Sequence, residues 1–151
     1  MSDKNKSDKN DKESKKYLKN PEIESFYDYK MYIFVNHDLG MGKGKIAAQV
    51  AHTVSDIVFE IIHRSFIENQ KSFKNVYDNF MAWRNTGQRK IVLKANQEQL
   101  EILKQFDIAR YTIDAGFTQI EPGSLTVVAF FPCKENKLPI PKSELQKYKL
   151  L

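Results

Sequence analysis

Glycines at 40, 42 and 44, set between a short apolar run and a long amphipathic one, constrain this chain more than any other feature. The run MYIFV, residues 31–35, passes through Asn36, His37 and Asp38 into GMGKGKIAAQVAH at 40–52. This order predicts a strand, a glycine-rich turn and a helix. Ile46, Ala47, Val50, Val54, Ile57, Val58 and Ile61 fall within about 120° of arc at roughly 100° per residue, which predicts a helix over 43–64 with that face on a core. Lys45, Gln49 and His52, spaced i, i+4 and i+7, form a second stripe roughly 150° away. A solvated helix face accounts for such a stripe; so does a working line of cation, amide and imidazole. The three glycines relax the restrictions that a Cβ places on φ, and two lysines stand where unpaired amides open the helix. Such a place attracts anions.

Two nucleotide motifs share the strand, glycine turn and helix context, and neither fits. A phosphate loop needs a glycine five residues before the glycine of its Gly-Lys pair and Ser or Thr after the pair, whereas Leu39 and Ile46 hold those positions. The dinucleotide fingerprint G-x-G-x-x-G does not match evenly spaced Gly40, Gly42 and Gly44. Dedicated ATP or NAD binding is not expected.

The 151 residues suit one domain with a real core. One cysteine, Cys133, excludes an internal disulfide, and His37, His52 and His63 have no cysteine partners at zinc-ligand spacing, so no metal is expected. No apolar run approaches the ~18 residues of a membrane span, and no apolar core of a secretion signal stands near the N-terminus, so a cytoplasmic, reducing location is expected. The net charge of +5 suits an acidic or nucleic-acid partner. Residues 1–20 hold seven lysines against four acids and almost no apolar residue until Tyr17 and Leu18, so three of those five charges fall on an expected disordered tail. Residues 1–28 are assigned to tail and connector, and 29–151 to the folded domain. The tail is either a solubilising extension or a weak electrostatic foothold for RNA.

Along the chain, residues 31–35 predict a first strand. Residues 66–81, with Phe73, Val76, Tyr77 and Phe80, followed by Trp83 and a stop at Gly87, predict a second helix with Trp83 as a core anchor. KIVLKA at 90–95 predicts a second strand, and Leu100, Leu103 and Phe106 mark a helix over 97–106. Residues 109–113 read as a third strand and LTVVAFF at 125–131 as a fourth, apolar enough to be covered on both faces. A last short helix is expected around 143–147. The alternation predicts a single α/β domain, a small sheet of four strands, mostly parallel or mixed, with helices on both faces. Ligands of such sheets gather beyond the carboxyl ends of the strands, where the glycine turn and the loop after the third strand both lie. That loop, DAGFTQIEPGS at 114–124, is dense in polar groups. Asp114, Thr118 and Gln119 read equally as turn formers and caps. If the loop folds beside the glycine turn, Lys45, His52 and Asp114 meet with donors from Thr118, Gln119 and Thr126, a set suited to hydrolysis by direct attack of water.

Three motifs, MGKGKIAAQVAH at 41–52, GQRKIVLKA at 87–95 and DAGFTQIEPGSLTVV at 114–128, together resemble the archaeal and eukaryotic type (type II) of peptidyl-tRNA hydrolase. The resemblance covers about residues 29–131. It implies hydrolysis of the ester between a peptide and the 3′ ribose of tRNA, a mixed four-stranded sheet flanked by helices, no metal or organic cofactor, and a possible homodimer. It also implies catalytic roles for Lys45, Asp114, Thr118 and Thr126, joined by His52, and substrate contacts from Gln49 and Gln119. Lys43 with the turn at Gly42 and Gly44 would hold RNA backbone. The chain differs from the family's usual pattern at Gly40 and Phe117, where lysine and arginine are usual, and at Glu121, where alanine is. Two rival readings stand beside the enzyme: a tRNA-binding module without turnover, and a protein-interaction adaptor recruited through the tail and the connector at 21–30, which carries Phe26, Tyr27 and Tyr29.

Overall fold

The computed structural model describes residues 28–116 and 120–151. The tail and most of the connector lie outside them. Strand β1 (Tyr29–Asn36) is followed by helix α1 (Lys43–Ile62), a π-helical turn (His63–Ile67) and a 3-10 turn (Lys71–Phe73) that runs into helix α2 (Lys74–Asn85). Strand β2 (Lys90–Ala95), helix α3 (Gln97–Leu103), strand β3 (Ala109–Ile113) and strand β4 (Leu125–Phe130) come next. The two-residue strand β5 (Cys133–Lys134), a 3-10 turn (Glu135–Lys137) and helix α4 (Lys142–Leu145) complete the described chain.

The four long strands lie in the order β2-β1-β4-β3. β1 is parallel to β2, and β4 runs antiparallel to both β1 and β3, so the carboxyl ends of β1, β2 and β3 share one edge with the start of β4. The side chains of β1 alternate as a strand buried on both faces requires. Met31, Ile33 and Val35 join Ile57, Ile61, Phe80 and Trp83 under α1 and α2, while Tyr32 and Phe34 join Leu93, Leu100, Leu103 and Phe130 under α3 and α4. Trp83, 2% exposed, donates its indole N–H to Arg89 O at 2.8 Å and is the expected core anchor.

Several boundaries differ from the sequence reading, each for a local reason. The first helix does not stay α-helical to residue 64 but gives way to the π turn after Ile62, where the Glu68 amide donates to His63 O. The second helix starts only at Lys71 and runs to Asn85. The third ends at Leu103, and Phe106 packs beyond it in the α3 layer. The sheet has five strands rather than four. β5 pairs with Tyr29 and Lys30 of β1 after Pro132, which supplies no amide to carry the β4 ladder onward.

One irregularity matters for the site. Thr112 pairs with Val127 but Ile113 pairs with Leu125, so Thr126 is the extra residue of a β-bulge. In a regular strand Thr126 and Val127 would face opposite sides. The bulge brings both to the α1 side.

Candidate active site

The turn between β1 and α1 is built on Asn36, which is 1% exposed. Its side-chain amide donates to Leu125 O at 2.8 Å and to Gln97 Oε1 at 2.7 Å, and its Oδ1 accepts from the Asp38 amide at 3.1 Å. The chain then reverses at Gly40 with φ +58°, the left-handed region where glycine carries no penalty. Met41 buries its side chain in the core under α1, and Gly42 caps the helix in an extended conformation, φ −66°. Of the glycines in this turn, only Gly40 adopts a left-handed φ. Among the described residues, Gly42 offers no side-chain cap to α1, and no acidic residue stands within the helix's own first turn.

Lys45, in that first turn, places Nζ 2.6 Å from Asp114 Oδ1, and both side chains are about nine-tenths buried, at 10% and 7% exposure. Asp114 Oδ1 also accepts from Gln49 Nε2 at 3.0 Å, and Oδ2 from the Gly116 amide at 2.9 Å. The Asp114 backbone is fixed in turn by bonds with Ser124 O and the Gly123 amide. Gly116 has φ +77°, and a Cβ there would lie 2.4 Å from Pro122 Cγ, so only glycine lets this turn close over the carboxylate. The Lys45 ammonium, opposed by burial and helped by the Gly116 amide and Gln49, holds the Asp114 carboxyl below its ordinary value. The group is an anion throughout the neutral range.

Gln49, 5% exposed, spends both ends of its amide: Oε1 accepts from Thr126 Oγ1 at 2.7 Å while Nε2 faces Asp114. Thr126 Oγ1 also lies 3.1 Å from Thr112 O, so its single proton has two acceptors. Thr53 continues the line, its Oγ1 2.6 Å from Thr112 Oγ1 and 3.1 Å from Gln49 O. Lys45, Gln49, Thr126 and Asp114 therefore converge; of these, the sequence reading brought Lys45, Asp114 and Thr126 together and named Gln49 only for substrate contact. Lys43 and Gly44 lie exposed at the helix start beside them. Thr118 and Gln119 lie outside the described residues. His52 does not join the set: it is exposed and makes no hydrogen bond or ion pair among the described residues. The inward line of α1 is i, i+4, i+8 through Lys45, Gln49 and Thr53, and it continues into Ile57 and Ile61. Thr53, Thr112 and Asn36 were not singled out from sequence. A four-residue step from Gln49 reaches Thr53, the one signal that pointed to it.

Among the described residues, no group of three or more His, Cys, Asp or Glu side chains is placed to hold a metal ion. What the arrangement offers is a buried anion and a cation in contact, an amide that orients the anion, and a hydroxyl that orients the amide. Water and a polar substrate carbonyl can both be positioned by such a set.

Comparison with known proteins agrees. The family described as peptidyl-tRNA hydrolase PTH2 matches residues 29–148. A protein of Methanococcus maripaludis named peptidyl-tRNA hydrolase is 40% identical over 124 residues, 78% of this chain and 97% of its own length. One of Thermoplasma acidophilum with the same name is 41% identical over 128 residues, 81% and 97% of the two chains. A third, from Sulfolobus acidocaldarius, is 40% identical over 116 residues, 72% and 91%. With a family match that takes in every described strand, and relatives this similar along most of both chains, this chain belongs to the PTH2 family of peptidyl-tRNA hydrolases.

Proposed function

We propose that this chain hydrolyses the ester joining a peptide to the 3′ ribose of tRNA, adding water across the bond to release the peptide acid and tRNA with a free 3′ hydroxyl. The relatives' shared name supports the substrate. The single structural observation that carries the reading is the buried Lys45–Asp114 contact at 2.6 Å, held at the carboxyl edge of the sheet beside the start of α1. A structural ion pair needs no such position.

In this reading Asp114 orients and polarises the attacking water. A carboxylate held this far into its ionised form is a weak proton acceptor, so its contribution is alignment and charge more than proton abstraction. Lys45 stabilises the negative charge that develops on the carbonyl oxygen. Gln49, fixed by Thr126, keeps the carboxylate turned toward the ester. Roles for Thr118 and Gln119 in positioning the ester rest on the sequence motif alone. His52, turned to solvent, is left out of the mechanism. Lys43, with the backbone at Gly42 and Gly44, receives the terminal nucleotide's phosphate at the positive end of α1. The reaction takes place in the cytoplasm, and the chain works as a homodimer; among the described residues no helix is long and apolar enough to cross a membrane.

Single-turnover release of peptide from an N-blocked aminoacyl-tRNA tests the reading. Folded Lys45→Ala and Asp114→Asn variants are each expected to lose at least about a hundredfold, near 2.7 kcal/mol of transition-state stabilisation. A native chain that binds tRNA and never turns it over would leave only the non-catalytic module.

A further inference from the structure

The ester is a small part of a peptidyl-tRNA, and a protein of this size needs a footing on the RNA. Resting on the hydrolase reading, we propose that the β2 edge of the sheet is that footing: Lys90 and Lys94, with Arg84, Arg89 and Lys149 beside them, take the sugar-phosphate backbone of the tRNA.

Residues 79–97 contain no Asp or Glu and four cations, Arg84, Arg89, Lys90 and Lys94, all exposed. The fold gathers them. Arg84 lies in the last turn of α2, which is tied to the start of β2 by bonds from the Trp83 indole to Arg89 O and from the Gln88 amide to Trp83 O. On β2 the alternation sends Ile91, Leu93 and Ala95 into the α3 layer and Val92 toward α1 and α2. Lys90 and Lys94 therefore stand on the same face as Val92, separated by about 13 Å at strand rise. Lys90 Nζ sits 4.8 Å from the centre of the Trp83 ring and bonds Gln88 O at 3.2 Å, which holds its charge at the surface rather than neutralising it. Exposed Lys149 is added from the C-terminus, where its carbonyl accepts from the Lys94 amide at 2.8 Å.

The row ends at the site. Ala95, the last residue of β2, accepts from the His37 amide at 2.9 Å, and His37 opens the turn that delivers Lys43 and Lys45. The acid nearest in that turn, Asp38, already accepts from the Gln97 amide at 2.9 Å. Lysines on an edge strand often serve to prevent pairing with other chains. That explanation is weak here, because the C-terminal residues already occupy the edge: Leu150 bridges Leu93 and the Leu151 amide donates to Val92 O at 3.0 Å. A basic edge that needs no protection, continuous with the catalytic turn, fits a polyanionic backbone.

The test is the salt dependence of kcat/KM for N-acetylaminoacyl-tRNA, comparing the full chain with Lys90→Gln/Lys94→Gln and with a control of equal charge change, Lys137→Gln/Lys142→Gln. The first pair is expected to flatten the slope of log kcat/KM against log salt by roughly two and to lower kcat/KM about tenfold near 0.1 M salt. Its turnover at saturation, and of an N-acetylaminoacyl ester of adenosine alone, should match the parent within twofold. Parent-like slope and kcat/KM in the first pair, or the same losses in the control, overturn the proposal. If the parent hydrolyses neither substrate, the hydrolase reading fails by itself, and the affinity of free tRNA for the two pairs still decides whether this edge holds RNA.

Discussion

At the scale of single residues, the consequential choice is an amide rather than a carboxylate at position 49. Gln49 must donate to Asp114 and accept from Thr126 at the same time, and only an amide of that length offers both. Replacing it by glutamate puts two carboxylates where the amide and Asp114 now stand 3.0 Å apart, and they cannot both stay ionised. Asp114 in the native chain is held below its ordinary value of 3.8, so its charge persists at every pH above that, and it places no acid limb on the rate in the neutral range. In Gln49→Glu the shared proton leaves at higher pH, so the acid limb of kcat/KM is expected to move up by about one pH unit or more. A profile that superimposes on the parent's would refute this. His52 supplies the contrast: with no hydrogen bond or ion pair to the site among the described residues, His52→Ala should leave kcat/KM within about twofold of the parent, whereas loss of an essential group would lower it by at least about a hundredfold.

At the scale of elements, the site depends on a defect in a strand. The bulge opposite Thr112 and Ile113 turns Thr126 toward α1, and without it Val127 alone would face that layer. LTVVAFF announces a buried strand, but nothing in its composition marks where a residue will be doubled, because bulging depends on the partner strand's register. The sequence reading put His52 beside Lys45 and Asp114, whereas the side chain that follows Lys45 and Gln49 inward on α1 is Thr53. The i+7 and i+8 positions differ by only about 100° around the helix, and which of them faces the sheet is decided by how α1 docks. Thr126→Val keeps shape and β propensity while removing the hydroxyl from a position that is 0% exposed. It leaves Gln49 Oε1 buried without its donor, so about 1–3 kcal/mol of stability should be lost in urea melts. The rate should fall further than stability alone explains, since the carboxylate loses its guide. Parent-like stability would mean that Gln49 does not depend on this hydroxyl for its buried acceptor.

At the scale of the whole molecule, the architecture was legible because each element had a strong pattern: the doubly buried β4, the apolar stripe of α1, the Trp83 anchor of α2. What escaped were features set by distant partners, the two-residue β5 beyond Pro132 and the C-terminal cover of β2 among them. The stripe that buries α1 leaves its outer side apolar at one end. Phe59, Ile62, Phe66 and Ile67 are 68, 41, 60 and 74% exposed, a larger apolar group than isolated surface residues make. Phe59 stacks on His63 and Phe66 meets Tyr77 edge-on, so the rings are already ordered. Little side-chain entropy is then lost on covering them. If the proposed homodimer forms, this surface is the one expected to be covered, remote in sequence from the α1 start where Lys45 stands. Light scattering of the eluting protein should give about twice 17.6 kDa for the parent and the monomer mass for Phe59→Glu/Phe66→Glu. Both side chains are exposed, so the charges carry little folding penalty. Lys45, Gln49, Asp114 and Thr126 come from one chain, so the monomeric variant should keep its turnover. A parent that elutes as a monomer removes the homodimer, and a monomeric variant that loses turnover would mean that pairing shapes the site.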